Sequence, residues 1–420
     1  MADYLPARAA AIAAVEAQLL RVAEAWGFQR IIPPALEFEE VLAGGMGEGL
    51  SSRTFRFDDW QSGRMLAIPP DITPQIARIV ATRLKDRPLP HRICYSGRVL
   101  RHAELQSGRS REIFQTGVEL IGLDSPEADA EMVAMAVEVM QGLGVGEFTV
   151  DLGQVAFCRG VFDACGLSGE PLQRLKEAVA RKDASAVARI TAGHPLSNQS
   201  CAELLALPRL FGGREVLATA ARVVTNDCSR RALENLQQVL AILDLHGVAR
   251  YLTFDLGETR GLDYHTGLTF EGFAPGIGEA LFSGGRYDGL TARYGLPAAA
   301  TGFTCNVLPL VEAFGERASG LTEPRRDLLL FNQREDRQEA LTIARLLRGQ
   351  GLTVARDIIR RDLASSLEYA RQTGIRCMLV IDQPEQGYLL VRSSDGHQTT
   401  ITRDQLLQEG FLAQHDLIQE

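Results

Sequence analysis

The stretch FQTGVELIG (114–122) places Gln115, Gly117 and Glu119 at alternate positions. Side chains alternate in an extended chain, so these three share one face of a strand. An amide, a gap and a carboxylate in one row suit the floor of a small-molecule pocket, where the carboxylate could hold an amino group. They equally suit the solvent side of a half-buried strand. Just upstream, GRVLRHAELQSGRSRE (97–112) gathers Arg98, Arg101, Arg109 and Arg111 about one turn. Clustered guanidiniums suit phosphate or carboxylate groups. The alternative is a solvated basic loop paired with Glu104 and Glu112.

Three further segments carry candidate groups. In PPDITPQ (69–75), helix-start chemistry accounts for Thr73 as N-cap and Pro74 as first helical residue, but gives Asp71 no role. RGLDYHTGLTFEGF (260–273) brings Arg260, Asp263 and His265 to the entry of an alternating strand. A lone histidine there is more often structural than catalytic. SGGRYDGL (283–290) precedes GFTCNVLPL (302–310), and no charged side chain lies between Tyr294 and Val311. A glycine-flanked strand entering a helix is a ready anion site. Here that place carries Leu308 and Pro309, so it is either plain core or a ligand site stripped of its chemistry. No HxxxH, ExxH or Cys/His cluster marks a metal, and no P-loop, GxSxG or Rossmann glycine pattern occurs.

The elements that must position these groups read as follows. Helical spacing of Ile12, Val15, Leu19 and Val22 predicts a helix over 6–25, closed by Gly27. Residues 30–42 start as a strand that two prolines interrupt, hence at an edge or interface. Residues 53–59 alternate and lead to a hairpin turn near 61–63. A helix from Thr73 to about Leu84, strands on either side of the loop HAELQSGRS, and a helix over 126–142 follow. Between about 155 and 250 strand signals vanish, which predicts a helical insertion. Strands return at 251–273 and 279–283. Past GLTEPRR (320–326), apolar runs alternate with helical segments, which predicts a small α/β domain with a mixed sheet.

Composition sets the frame. At 420 residues the chain needs roughly 2–3 domains. A formal net charge of -9 argues against a general nucleic-acid binder. No apolar run approaches the ~20 residues of a membrane span, and the charged N-terminus is no signal peptide. Seven scattered cysteines, none in CxxC, imply free thiols and a cytoplasmic setting.

Several of these stretches together resemble the catalytic domain of class II histidyl-tRNA synthetase. RGLDYHTGLTFE resembles that family's RGLDYYxxTVFE, and SGGRYDGL its AGGRYDGL. GRVLRHAELQSGRSREIFQTGVE matches its motif 2 without a gap, PPDITPQIA matches RPEGTAG, and Pro34 fits the motif 1 proline of a dimer interface. The likeness implies an α+β fold, an antiparallel sheet flanked by helices. It implies a catalytic-type domain over 1–320, with the insertion at about 155–250, and an anticodon-binding-like α/β domain over 325–420. It also implies a histidine pocket of Asp71, Thr73, Gln115, Glu119, Arg260, His265 and Tyr287. His265 stands where the family has a tyrosine that contacts the substrate imidazole. Arg101 and Arg260 match two arginines of the ATP site and remain possible phosphate binders. The motif 2 glutamate, however, is Ala103. GFTCNVLPL aligns with motif 3, GFAMGLERL, so Leu308 replaces a glutamate and Pro309 the ATP-binding arginine.

A kept amino-acid pocket beside a broken nucleotide site resembles the synthetase paralogue that serves as regulatory subunit of ATP phosphoribosyltransferase. PDITPQIAR, REIFQTGVELIG and LPRLFGG (207–213) point the same way. That resemblance implies a non-catalytic subunit in the first step of histidine biosynthesis. Its partner is a short-form catalytic chain, histidine its effector, and a homodimer its building block within a hetero-oligomer. No cofactor, metal or membrane is implied, and tRNA is not an expected partner. The alternative is a working histidyl-tRNA synthetase, favoured by Arg101, Arg260 and the retained last domain. A third reading is a synthetase-like module that senses tRNA, which the net charge of -9 disfavours.

Overall fold

The computed structural model describes residues 2–45, 51–102, 110–259, 264–314, 326–332, 334–359, 361–382 and 387–408. Contacts divide the chain into two compact units, Met1–Thr322 and Glu323–Glu420.

The first unit opens with α1 (Pro6–Ala25), which buries Ile12, Val15, Leu19 and Val22 along one stripe. Gly27, at φ +81, ends it as a left-handed residue should. Then come β1 (Gln29–Arg30), β2 (Glu37–Phe38), α2 (Glu39–Gly45), β3 (Phe55–Asp59), β4 (Arg64–Ile68) and α3 (Thr73–Arg83). The two long strands β5 (His91–Leu100) and β6 (Glu112–Ile121) precede α4 (Pro126–Gly142), β7 (Thr149–Gln154) and α5 (Val155–Ala164). Helices α6 (Gly169–Ala180), α7 (Ala184–Ala192) and α8 (Asn198–Ala206), strand β8 (Phe211–Gly212), and helices α9 (Glu215–Val223) and α10 (Asp227–Leu245) fill the next stretch. The unit closes with β9 (Leu252–Asp255), β10 (Leu268–Phe273), β11 (Phe282–Arg286), β12 (Ala300–Asn306) and α11 (Val307–Phe314).

Nine of these strands form one sheet in the order β1-β5-β6-β12-β11-β10-β7-β9-β8. All neighbours are antiparallel except β1 with β5 and β7 with β9. One face carries Cys94, Val118, Leu120, Leu268, Phe270, Phe282, Phe303 and Cys305, and α1 and α4 cover it in a continuous core. The other face carries the polar and glycine positions of the same strands. The parity of each strand thus separates core from site.

An ion cluster locks the core side. Arg286 of β11 donates to Asp129 of α4 at 3.0 Å, with Asp129 only 1% exposed, and reaches Asp288 at 3.2 Å. It also bonds the carbonyls of Leu123 and Ser125. Ser125 in turn caps α4, so the arginine ties the helix start to the sheet.

The second unit alternates β13 (Leu328–Asn332), α12 (Gln338–Gly349), β14 (Val354–Arg356), α13 (Leu363–Gln372), β15 (Cys377–Ile381), β16 (Tyr388–Arg392), β17 (Gln398–Ile401) and α14 (Arg403–Leu407). Its sheet, β14-β13-β15-β16-β17, is parallel through β13 and antiparallel beyond β15, with apolar clusters on both faces. The alternation in the sequence anticipates this mixed sheet.

Four expectations need correction. Thr73 is not the N-cap of α3: Ile72 occupies that position and Thr73 is the first helical residue. The Asp71 carboxylate accepts the Thr73 N–H at 3.0 Å, and the threonine hydroxyl, not being at the cap, meets Tyr95. Residues 39–42 are helical, because the interrupted strand ends at Phe38. The strand expected at 279–283 starts at Phe282 and runs to Arg286, since glycines 284 and 285 are strand residues here. The insertion is not wholly helical, because Phe211 and Gly212 pair with β9 at the sheet edge.

Replacing Arg286 with methionine leaves the Asp129 carboxylate buried without its cation. The expected loss is about 3–5 kcal/mol of stability in urea unfolding. The double variant with Asp129→Asn should recover much of it.

Candidate functional site

The polar face of the sheet lines a cavity of about 1090 Å³. Register builds its floor. Gly285 of β11, Gly302 of β12 and Glu119 of β6 are successive cross-strand partners in one row of it, which Thr269 of β10 and Gly153 of β7 continue beyond the cavity. The neighbouring row runs Asp151, Glu271, Ser283, Thr304, Gly117 and Tyr95. The glycines are gaps over which side chains fold. A Cβ on Gly302 would lie 1.9 Å from Glu119 Oε2 and 2.4 Å from the Val118 carbonyl. One on Gly117 would lie 2.6 Å from the Tyr95 hydroxyl.

Glu119 is 1% exposed, so the strand side it occupies is a pocket floor and not a solvent face. The Tyr95 hydroxyl donates to its Oε1 at 2.9 Å, and the Tyr287 hydroxyl donates to its Oε2. Tyr95 also meets Thr304 at 2.8 Å and the Thr73 hydroxyl at 3.3 Å. Gln115, also buried, accepts the Ile72 N–H at 3.1 Å and so pins the PDIT turn to β6. Asp71 accepts from Arg101 at 3.0 Å, while Arg101 Nε donates to the Pro70 carbonyl at 2.6 Å. Tyr264 stacks on Tyr287 with ring centres 5.5 Å apart and meets His265 edge-on at 5.1 Å. His265 holds its Nδ1 3.3 Å from the Arg286 carbonyl.

Burial sets the protonation states. Desolvation outweighs the hydrogen bonds from Tyr287, Thr73 and Tyr95 and pushes the Glu119 carboxyl up to about 8. Desolvation likewise pushes His265 down to about 4, against the partial support of the Arg286 carbonyl and Asp71. Burial raises the phenols of Tyr95, Tyr264 and Tyr287 well above their ordinary range. At neutral pH the ligand-free floor is therefore an uncharged acid, a neutral imidazole and three phenols.

The structure thus brings Asp71, Thr73, Arg101, Gln115, Glu119, His265 and Tyr287 to one cavity. Arg260, Ala103 and Arg109 lie outside the described residues. Arg98 does not join the site: it lies 4.4 Å above the Phe114 ring and bonds Glu112. Sequence reasoning missed Tyr95, Thr304 and Tyr264. Tyr264 and Thr304 sit inside stretches already singled out, but Tyr95 is legible only through cross-strand register.

The far wall is poor in cations. Leu308 lines it, and Pro309 is buried in the first turn of α11, the helix that follows β12. Among the described lining residues, five carboxyl groups (Asp71, Glu112, Glu119, Glu271, Glu279) accompany two guanidiniums, Arg53 and Arg101. Arg101 is already engaged by Asp71. Among the described residues no three His, Cys, Asp or Glu side chains converge to hold a metal. None of their helices is long and apolar enough to cross a membrane.

A family model described as histidyl-tRNA synthetase matches residues 1–310. A histidyl-tRNA synthetase from Nostoc sp. PCC 7120 superposes with a TM-score of 0.80 over 98% of this chain and 97% of that one, at 20% identity. The first unit is therefore a class II histidyl-tRNA synthetase-like domain. Similarity in sequence is more specific. The chain is 61% identical to the ATP phosphoribosyltransferase regulatory subunit of Geobacter sulfurreducens, over 97% of this chain and 94% of that protein. It is 35% identical to that of Acetivibrio thermocellus, over 87% and 88%. A Bacillus halodurans structure described as an ATP phosphoribosyltransferase regulatory subunit/histidyl-tRNA synthetase shares 30% identity, with a TM-score of 0.79 over 91% and 96%. The chain belongs to the family of ATP phosphoribosyltransferase regulatory subunits.

The raised Glu119 value has a sign that can be checked. The carboxyl stays protonated in the folded chain between its ordinary 4.5 and about 8, while the unfolded chain loses that proton. Its contribution to stability is whole below 4.5 and is lost as pH rises to about 8. Glu119→Gln, a permanent neutral mimic, should flatten this slope, which is on the order of 1.4 kcal/mol per pH unit at most. Urea unfolding of both chains from pH 5 to 9 measures it.

Proposed function

We propose that this chain is a non-catalytic regulatory subunit of ATP phosphoribosyltransferase. In this reading it binds histidine in the cavity above Glu119, activates a short-form catalytic chain, and conveys feedback inhibition. The observation that carries it is the pairing of a complete, buried polar floor with a far wall lacking motif 3 charge. Asp71 and Thr73, nearer the opening, suit the amino group of a free amino acid. Glu119, deep among three phenols, suits a ring nitrogen as a neutral donor, with His265 beside it. This differs from the amino-group role that the strand alone suggests for Glu119, because Asp71, paired with Arg101, stands nearer the opening to take the amino group. Gln115 and Tyr287 hold the floor in place. Arg101, and Arg260 by sequence alone, suit the ligand carboxylate or a phosphate.

Class II activation depends on positioning and on stabilising charge in a phosphate-rich transition state. Without the motif 3 arginine that step loses several kcal/mol, on the order of 10²–10³ in rate or more. The homodimer through the Pro34 segment, the hetero-oligomer and the cytoplasmic setting belong to the same proposal. The names of the relatives support the partnership. The retained second unit and Arg101 favour the competing reading, an active synthetase.

One set of measurements separates them. Histidine should bind the purified chain by calorimetry, with affinity falling about tenfold or more in Glu119→Ala. The chain should not support histidine-dependent ATP–pyrophosphate exchange. Mixed with a short catalytic chain, it should co-purify, raise phosphoribosyl transfer and make it histidine-sensitive. Robust exchange, or transfer indifferent to this chain, refutes the proposal.

A further inference from the structure

The cavity floor carries a second side chain placed as Glu119 is. Gly302 and Gly285 are cross-strand partners, which stand about 5 Å apart. Glu119 folds over Gly302, and His265 folds over Gly285: its Nδ1 and Cε1 lie 3.0 and 3.1 Å from where a Gly285 Cβ would stand. Carboxyl and imidazole are therefore neighbours on one floor, in places that two successive glycines leave open. The Asp71 charge favours the protonated form of both, and all three line the main cavity.

The backbone fixes what His265 can offer. The Arg286 carbonyl takes the Thr266 N–H at 2.8 Å and stands 3.3 Å from His265 Nδ1. A carbonyl can only accept, so Nδ1 carries the hydrogen. Burial lowers the ring to about 4, so it is neutral at neutral pH. A neutral imidazole with Nδ1–H has a bare Nε2, which can only accept. Among the described residues that Nε2 has no hydrogen-bond partner. Glu119 is the converse. Its two oxygens already take the Tyr95 and Tyr287 hydroxyls, and as the neutral acid it has one hydrogen to give. A neutral imidazole ligand presents the complement, one ring N–H and one bare nitrogen.

We propose that His265 is the specificity-determining residue of this pocket: its Nε2 accepts a ring N–H, while the Glu119 carboxyl donates to the bare nitrogen of the same azole. The pocket then takes a neutral azole in a single tautomer and rejects a ring of the same size that lacks the N–H, because Nε2 is left unpaired. Arg286 sets this polarity through its carbonyl. The inference rests on the histidine reading above and deepens it.

Calorimetry on the full chain tests it with histidine, triazolylalanine and two thiazolylalanine isomers. The triazole keeps nitrogen at both imidazole positions, one of them N–H. Each thiazole keeps a bare nitrogen at one position and puts sulfur at the other. The triazole should bind nearly as histidine does, and both thiazoles about tenfold more weakly or worse. In His265→Phe, histidine should fall to the level of the better thiazole, which should itself change little. In His265→Gln, whose amide oxygen can accept at the same place, the preference for histidine should return. A merely structural His265 would weaken all four ligands alike. If His265→Phe melts early, the wild-type ranking and His265→Gln decide. A thiazole as tight as histidine, or a preference unchanged in His265→Phe, overturns this inference and leaves histidine binding standing. No histidine binding at all overturns the proposed function with it.

Discussion

The Glu119 carboxylate lies over Gly302, between the hydroxyls of Tyr95 and Tyr287, and nearly everything in the first unit serves to keep it there. A carboxyl this deeply buried is costly in its charged form, so it holds a proton and accepts phenolic hydrogen bonds. For it to fit, β12 must present a glycine opposite it, and β6 must present a second glycine where the Tyr95 ring crosses. A slip of one residue in β6 would turn Glu119 into the apolar core, and one in β12 would set Thr301 or Phe303 opposite it in place of Gly302. The Gln115 bond to the Ile72 N–H extends the same constraint to α3, whose first turn brings Asp71 and Thr73 to the opening.

The opposite face of the sheet makes that register affordable. Arg286 and Tyr287 are adjacent, so one points to α4 and the other to Glu119. The buried Arg286–Asp129 pair clamps β11 to the helix layer and fixes where Tyr287 emerges. His265 is tied to the same residue through the Arg286 carbonyl. Core and site are thus two faces of one arrangement, and a change on either side reaches the other through β11.

Beyond that floor, the far wall keeps the backbone of a synthetase-like domain while presenting apolar side chains. Leu308 and Pro309 stand in the first turn of α11, where proline is tolerated because early N–H groups have no intrahelical partner. The helix forms with no charged side chain in its first turn. The described lining of the cavity holds more carboxyl groups than guanidiniums.

Much was determined by the sequence alone. The alternation in FQTGVELIG, the glycines of SGGRYDGL and the uncharged run through GFTCNVLPL carry strand parity, floor and missing cation, because these are local properties of chain order. Helices α1 and α4 and the mixed sheet of the second unit follow from periodicity in the same way. The tertiary structure decided what depends on neighbours distant in sequence. Thr73 became a pocket hydroxyl and not a cap because the helix begins one residue earlier, which leaves its side chain beside Tyr95. Tyr95 became a central contact because β5 pairs with β6 in one register. Glu119 became a neutral acid because groups distant in sequence, Thr73, Tyr95 and Tyr287 among them, enclose it, and no pattern within β6 encodes that desolvation.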